Sequence, residues 1–215
     1  AIFVDENGDH IEGDASFAAL AAAELDAESV AVSAVNVSQR VVDVVDAADA
    51  ELELTPIGST HLITRIRELL KDEKRVTVAG EGNGGLLFPD YRIARDGAYT
   101  AARFLELLVD RPASAVAAEY GGYAIVRENV EYASPDERAA MLAAAESHAR
   151  AEDAELTTLD GYRLDYGDAW VLASPSGTEP LIRLYAEARS ESRAKTLLEA
   201  FHGAITAVSV GNHHG

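Results

Sequence analysis

The chain has 215 residues, 48% of them hydrophobic, enough to bury a substantial core in one large domain or two of ordinary size. Its 37 Asp and Glu outweigh 18 Lys and Arg, and the resulting net charge of -19 repels nucleic-acid backbones and anionic membranes alike. With no cysteine, a disulfide framework and a thiolate metal site are both excluded.

Only three of the 18 cations are lysines (Lys71, Lys74 and Lys195), and the apolar residues are chiefly Ala and Val. An acidic, lysine-poor surface of this kind reads as adaptation to a high-salt cytosol, where screening removes self-repulsion; an ordinary acidic protein is the alternative. No apolar run approaches the roughly 18 residues of a membrane span, and no basic region precedes an apolar stretch at the start, so a soluble cytoplasmic protein is expected. The chain opens on the apolar Ala1-Ile2-Phe3-Val4 with no initiator Met, as if cut from a longer protein.

Taken in order, Ile2–Val4 and His10–Ile11 predict a hairpin turned by Asn7-Gly8. Asp5, Asn7 and Asp9 imitate the first half of a calcium loop, but no glutamate closes it at the twelfth position, which leaves turn chemistry. Asp14 is expected to cap a helix over Ser16–Glu24, followed by a buried strand at Val30–Val35, a helix over Gln39–Ala48 and a strand at Glu51–Thr55. A turn at Pro56–Thr60 leads to a helix over Leu62–Leu70, then to a strand at Val76–Ala79. Leu86–Phe88 is again strand-like, and Asp96-Gly97 opens a helix that should run to about Val109. Strands and helices alternating at this spacing argue a parallel or mixed sheet covered by helices.

From Tyr123 the pattern changes to a strand (Ala124–Tyr132), a long helix (Pro135–Ala151), a three-strand meander and a final helix over Ser192–Val208. Strands and helices that segregate in this way suggest a small α+β domain, with the boundary near residue 122.

Two loops carry chemistry. In Gly80-Glu81-Gly82-Asn83-Gly84-Gly85 the glycines meet the spacing of a dinucleotide fingerprint, but Leu-Leu-Phe-Pro follows where a helix must begin, so that reading fails. What remains is a tight loop presenting a carboxylate and a carboxamide, which together accept from and donate to vicinal hydroxyls, as a sugar ring requires. Read alone it is equally a glycine-rich hairpin. In Ser174-Pro175-Ser176-Gly177-Thr178-Glu179-Pro180, two hydroxyls flank a bare backbone that can wrap an anion, a surface turn being the competing reading. The six histidines (His10, His61, His148, His202, His213, His214) form no metal spacing, and Tyr120 to Tyr123 reads as interdomain packing.

In sequence order these motifs resemble those of the phosphohexomutases of the phosphomannomutase/phosphoglucomutase type. The Gly80–Gly85 run with Arg95-Asp96-Gly97 resembles the family's Gly-Glu-x-Ser/Asn-Gly sugar loop in its archaeal form, and Gly85 stands where bacterial members often carry histidine. Ser176-Gly177-Thr178-Glu179-Pro180 with Ile182-Arg183 resembles the phosphate loop of the last domain, with Ser174 where arginine is usual. Thr55-Pro56-Ile57-Gly58 resembles the turn between the halves of the sugar domain, and Asp5-Glu6-Asn7-Gly8 with Gly13-Asp14 the hairpin after the metal loop.

The resemblance implies a remnant of a metal-binding domain over residues 1–13, a mixed-sheet α/β/α sugar-binding domain over 14–122, and over 123–215 a small α+β phosphate-binding domain with an antiparallel sheet and helices on one face. It implies that Glu81, Gly82, Asn83, Gly58 and Ser59 bind the sugar and that Ser176, Gly177, Thr178 and Arg183 bind the phosphate not undergoing transfer. The family interconverts hexose 1-phosphates and hexose 6-phosphates through a phosphoserine, with Mg2+ and a hexose bisphosphate activator. Neither the donor serine motif nor the Asp-x-Asp-x-Asp metal run occurs here, so no catalytic or metal residue is expected in this chain and its partners would be a phosphosugar and the N-terminal catalytic domains. A phosphoglucosamine mutase and a freestanding phosphosugar-binding protein are the alternatives.

Overall fold

The computed structural model describes residues 1–210, with the side chains of 209 and 210 left aside; His213 and His214 lie outside the described residues. The chain divides into two compact units, Ala1–Gly122 and Tyr123–Gly215.

The first unit begins with a hairpin of β1 (Phe3–Val4) and β2 (His10–Ile11). Asp5 holds the turn, its Oδ1 accepting from the Asn7 and Asp9 amides at 2.8 and 2.9 Å. Phe3 stacks on Phe104 at 4.1 Å between ring centroids and Ile11 is buried, so the hairpin shares the unit's core. There follow α1 (Gly13–Glu24), β3 (Ser29–Ala34), α2 (Gln39–Ala47), β4 (Glu51–Thr55), α3 (Ser59–Lys71), β5 (Arg75–Glu81), β6 (Gly85–Leu87), α4 (Gly97–Glu106) and α5 (Ala113–Glu119). The sheet order is β4-β3-β5-β6, with β3 parallel to both neighbours and β6 antiparallel to β5.

Strand β3 is buried along its whole length because helices cover both faces. On one side Phe17, Leu20, Val41, Val78, Phe104 and Val116 form the larger core; on the other Val30, Val32 and Ala79 meet Leu62, Ile66 and Leu69 of α3. This is the helix-covered mixed sheet that the alternation of elements implied, with the α/β/α layering implied by the resemblance.

Two local expectations are corrected. Helix α1 starts at Gly13 with no side-chain cap, and Asp14 sits inside its first turn, 2% exposed. The glycine loop after β5 presses on this helix start: a Cβ on Gly82 would fall 2.2 Å from Asp14 Oδ1, and one on Gly13 would fall 2.2 Å from the Gly82 carbonyl. The helix expected to run to Val109 stops at Glu106, where the Leu107 and Leu108 amides tighten onto carbonyls three residues back. The chain resumes as α5 after Pro112, a short Ala-rich helix that carries little periodic signal of its own.

The second unit contains β7 (Ala124–Glu131), α6 (Pro135–Ala151), β8 (Glu155–Thr157), β9 (Tyr162–Asp165), β10 (Ala169–Pro175), β11 (Leu181–Ala188) and α7 (Glu191–Val210). The expected three-strand meander has four strands, and β7 pairs with the last to give an antiparallel sheet of order β7-β11-β10-β9-β8. Ser134 and Glu137 fix the start of α6, the Ser134 hydroxyl accepting from the Glu137 amide at 3.1 Å while Glu137 accepts from the Ala133 amide at 2.6 Å.

Alternation along β10 and β11 divides the sheet cleanly. Val171, Ala173, Ile182 and Leu184 join Met141 of α6 and Phe201 of α7 in the core, which puts Trp170, Leu172, Ser174, Arg183 and Glu187 on the opposite face. There Trp170, fully buried, donates Nε1–H to Glu187 at 3.1 Å, and the Arg163 guanidinium lies 4.3 Å from its ring centroid.

Candidate functional site

In the first unit β5 ends at Glu81, reverses through Gly82–Gly84 and returns as β6. The Gly84 amide closes the turn on the Glu81 carbonyl at 3.1 Å, with Gly84 at φ +78, a conformation that side chains resist. Asn83 stands exposed on the tip. Its Oδ1 accepts from the Gly85 amide at 2.9 Å, which leaves the carboxamide N–H groups as the outward donors.

The Glu81 side chain is buried, 8% exposed. A carboxylate so placed needs fixed partners. One is the Gly58 amide, which donates to Oε1 at 3.2 Å; the other is Arg95, whose Nη2 donates to Oε2. Gly58, at φ +127, is the N-cap of α3, so the carboxylate also meets the positive end of that helix, which Ser59 opens. A cavity of about 450 Å³ lies beside the loop, lined in part by Asn83, Gly85, Arg95, Asp96 and Thr100.

The structure therefore brings Glu81, Gly58 and Ser59 together from the ends of β5 and α3, with Gly82 and Asn83 on the intervening loop. It adds Arg95, which has no role in the sequence reading although it falls inside a quoted motif. The sequence offered a weak signal: Arg95 falls directly before the Asp96 cap of α4, 14 residues after Glu81, but Arg92 stands close by as a rival cation.

In the second unit the loop between β10 and β11 closes on Ser176, 8% exposed. The Ser176 Oγ accepts from the Thr178 and Glu179 amides at 3.3 and 3.1 Å and from Arg183 Nη2 at 3.1 Å. Two backbone amides and a guanidinium converging on one oxygen make a nest of donors suited to an anionic oxygen. Gly177 and Thr178 are exposed on the outside of the loop. Arg183 also donates to Glu179 Oε2 at 2.8 Å, and that contact raises its already high pKa, so the guanidinium stays charged. Which way Arg183 points was open in the sequence; it turns toward the loop. Ser174, its partner across the strands, is buried.

Among the described residues, no group of three or more His, Asp or Glu side chains is placed to hold a metal ion. No described helix is long and apolar enough to cross a membrane.

Residues 7–123 match the phosphoglucomutase/phosphomannomutase α/β/α domain III, and residues 128–204 the C-terminal domain of the same family. The chain belongs to the phosphoglucomutase/phosphomannomutase family. Within it, the chain is 36% identical to a probable phosphoglucosamine mutase of Methanopyrus kandleri over 93% of its own length and 44% of the relative's. It is 34% identical to a phosphoglucomutase/phosphomannomutase of Thermococcus kodakarensis, over 93% of this chain and 43% of that one. A solved family structure from Burkholderia thailandensis shares the fold at TM-score 0.78 and 22% identity, covering 97% of this chain and 44% of that chain. The chain thus spans less than half the length of the relatives it matches. Members named for glucosamine and for glucose or mannose both align along nearly all of it, so the family alone does not select the hexose.

Proposed function

We propose that this chain is the sugar- and phosphate-binding part of a phosphohexomutase that interconverts mannose or glucose 1-phosphate and the corresponding 6-phosphate. The observation that carries the reading is the β10–β11 loop, where the Thr178 and Glu179 amides and the Arg183 guanidinium converge on the Ser176 oxygen. In this reading a phosphate takes those donors, with Gly177 and Thr178 at the rim, and Glu81, Gly58, Ser59, Gly82 and Asn83 form the sugar site. Grip on the phosphate that is not transferred converts remote binding energy into orientation of the reacting oxygen. The phosphoserine and magnesium belong, by family resemblance, to the N-terminal domains, and the chain by itself is inactive.

Calorimetry of the chain with mannose 1-phosphate, glucose 1-phosphate and inorganic phosphate tests this. Binding is expected for all three, weakened in Ser176→Ala and Arg183→Gln. Affinity unmoved by both changes would reduce the loop to a turn. Turnover of either sugar phosphate by the purified chain would refute the division of labour.

A second reading, phosphoglucosamine mutase, is favoured by the name of the 36% identical Methanopyrus relative. A preference for glucosamine 1-phosphate over glucose 1-phosphate, added to those titrations, would select it.

A further inference from the structure

The sugar loop owes the orientation of its carboxylate to a residue outside it. We infer that Arg95 is a positioning residue of the sugar site: it crosses the bare Cα of Gly85 to hold the Glu81 carboxylate in one orientation. The inference rests on the reading of Glu81 as a ligand for sugar hydroxyls.

A glutamate has three side-chain torsions, and a carboxylate serving two hydroxyls must present both oxygens in a fixed plane. The Gly58 amide fixes one oxygen of Glu81, but a single hydrogen bond leaves the group free to rotate about it. Arg95 supplies the second point of attachment on the other oxygen. With a donor on each oxygen the plane is set, and each oxygen keeps a lone pair for an incoming hydroxyl. Arg95 has further N–H donors, and its side chain is 40% exposed on the wall of the 450 Å³ cavity that Asn83 also lines. It therefore serves the site from one side while facing the ligand space on the other.

The path of Arg95 depends on what is missing at residue 85. A Cβ on Gly85 would fall 2.9 Å from Arg95 Nε and 3.0 Å from its Cδ, and 2.9 Å from Asn83 Oδ1. These are closer than non-bonded carbon tolerates, so any side chain at 85 displaces the guanidinium, the carboxamide or both. Gly85 carries no positive φ, and its bare Cα is explained by this crossing. Two residues ten apart thus form one device: the glycine opens a channel and the arginine runs through it to a buried carboxylate.

The test uses the 215-residue chain and the ratio of its affinity for glucose 6-phosphate to that for inorganic phosphate, measured by calorimetry beside thermal unfolding of each variant. Glu81→Gln should lose that sugar-dependent gain. Arg95→Gln and Gly85→Ala should each reduce it on the order of tenfold, the scale of one charge-assisted hydrogen bond. Arg95→Lys should recover part of it, which a merely structural role would not produce, and Arg95→Gln combined with Glu81→Gln should be no worse than Glu81→Gln alone. If Glu81→Gln loses the gain while Arg95→Gln and Gly85→Ala keep it, the positioning role is wrong and the sugar site stands. If Glu81→Gln keeps the gain, or the unaltered chain shows none, the sugar reading falls and takes the inference with it.

Discussion

Ser174 and Arg183 face each other across the β10–β11 pair, on the side of the sheet turned away from α6 and α7 and beside the loop that Ser176 closes. Position 174 is therefore on the same face as Arg183, which donates to the Ser176 oxygen. Ser174→Arg sets a second guanidinium next to the first at a site only 3% exposed. Without an anion it should destabilise the chain by roughly 1–3 kcal/mol through crowding and like charge. With phosphate in the loop both cations are satisfied, and affinity should rise by roughly 1.5–3 kcal/mol. Denaturant titration and phosphate calorimetry on the same protein check the two signs separately; a stability loss with no gain in affinity would mean the new side chain misses the loop.

The two hydroxyls of that loop should behave differently. Ser176 is buried and accepts three hydrogen bonds, so Ser176→Ala leaves the Thr178 and Glu179 amides without that acceptor, while Arg183 keeps Glu179, and should cost about 1–3 kcal/mol. Thr178 is exposed, and Thr178→Ala should stay within about 0.5 kcal/mol. The single tryptophan, Trp170, lies buried in the same unit, so its fluorescence reports this unfolding directly. Equal losses from the two substitutions would contradict the loop geometry.

Asp26 sits after α1 and pairs with Arg75 at the start of β5, 2.6 Å away. The Arg75 hydrogen bond, then that from Ser29, holds its carboxyl down to about 2 from an ordinary 3.8. Because the folded value is the lower one, this contribution to stability is complete above about pH 4 and is lost as pH falls toward 2. The pair is solvent-exposed, so the effect is small and screened by salt. NMR titration should find Asp26 near 2 in the unaltered chain and raised toward its ordinary value in Arg75→Ala, where Ser29 still holds it down in part; no movement would mean the pair is not formed in solution.

With a net charge of -19, the folded chain repels itself wherever salt is low, the screening length being about 30 Å at 0.01 M and about 3 Å at 1 M. We propose that the chain works at high salt. The unfolding midpoint should climb steadily as KCl rises into the molar range. A flat or falling curve would leave the acidic composition without that explanation.

Much of this architecture could be read before any coordinates. Alternating and then segregated elements specify an α/β layer followed by an α+β layer, and the start of α6 follows from Ser134, Pro135 and Glu137, because capping chemistry is local. Both loops were visible as well, since glycine and hydroxyl residues mark turns for reasons contained within a few residues. Where sequence reading failed, the cause was contact at a distance. Asp14 resembled a cap by its neighbours, but Gly82, 68 residues on, packs against it inside the helix. Helix α5 is seven residues long and acquires its place by burying Val116 in the shared core. The partners of Glu81 lie 23 residues before it and 14 after. Sequence determined which side chains the loops display, because that depends on short-range backbone geometry. Only tertiary structure decided which of them are buried, paired and aimed: strand register sets the direction of Arg183, and the packing of distant segments brings Gly58 and Arg95 onto one carboxylate.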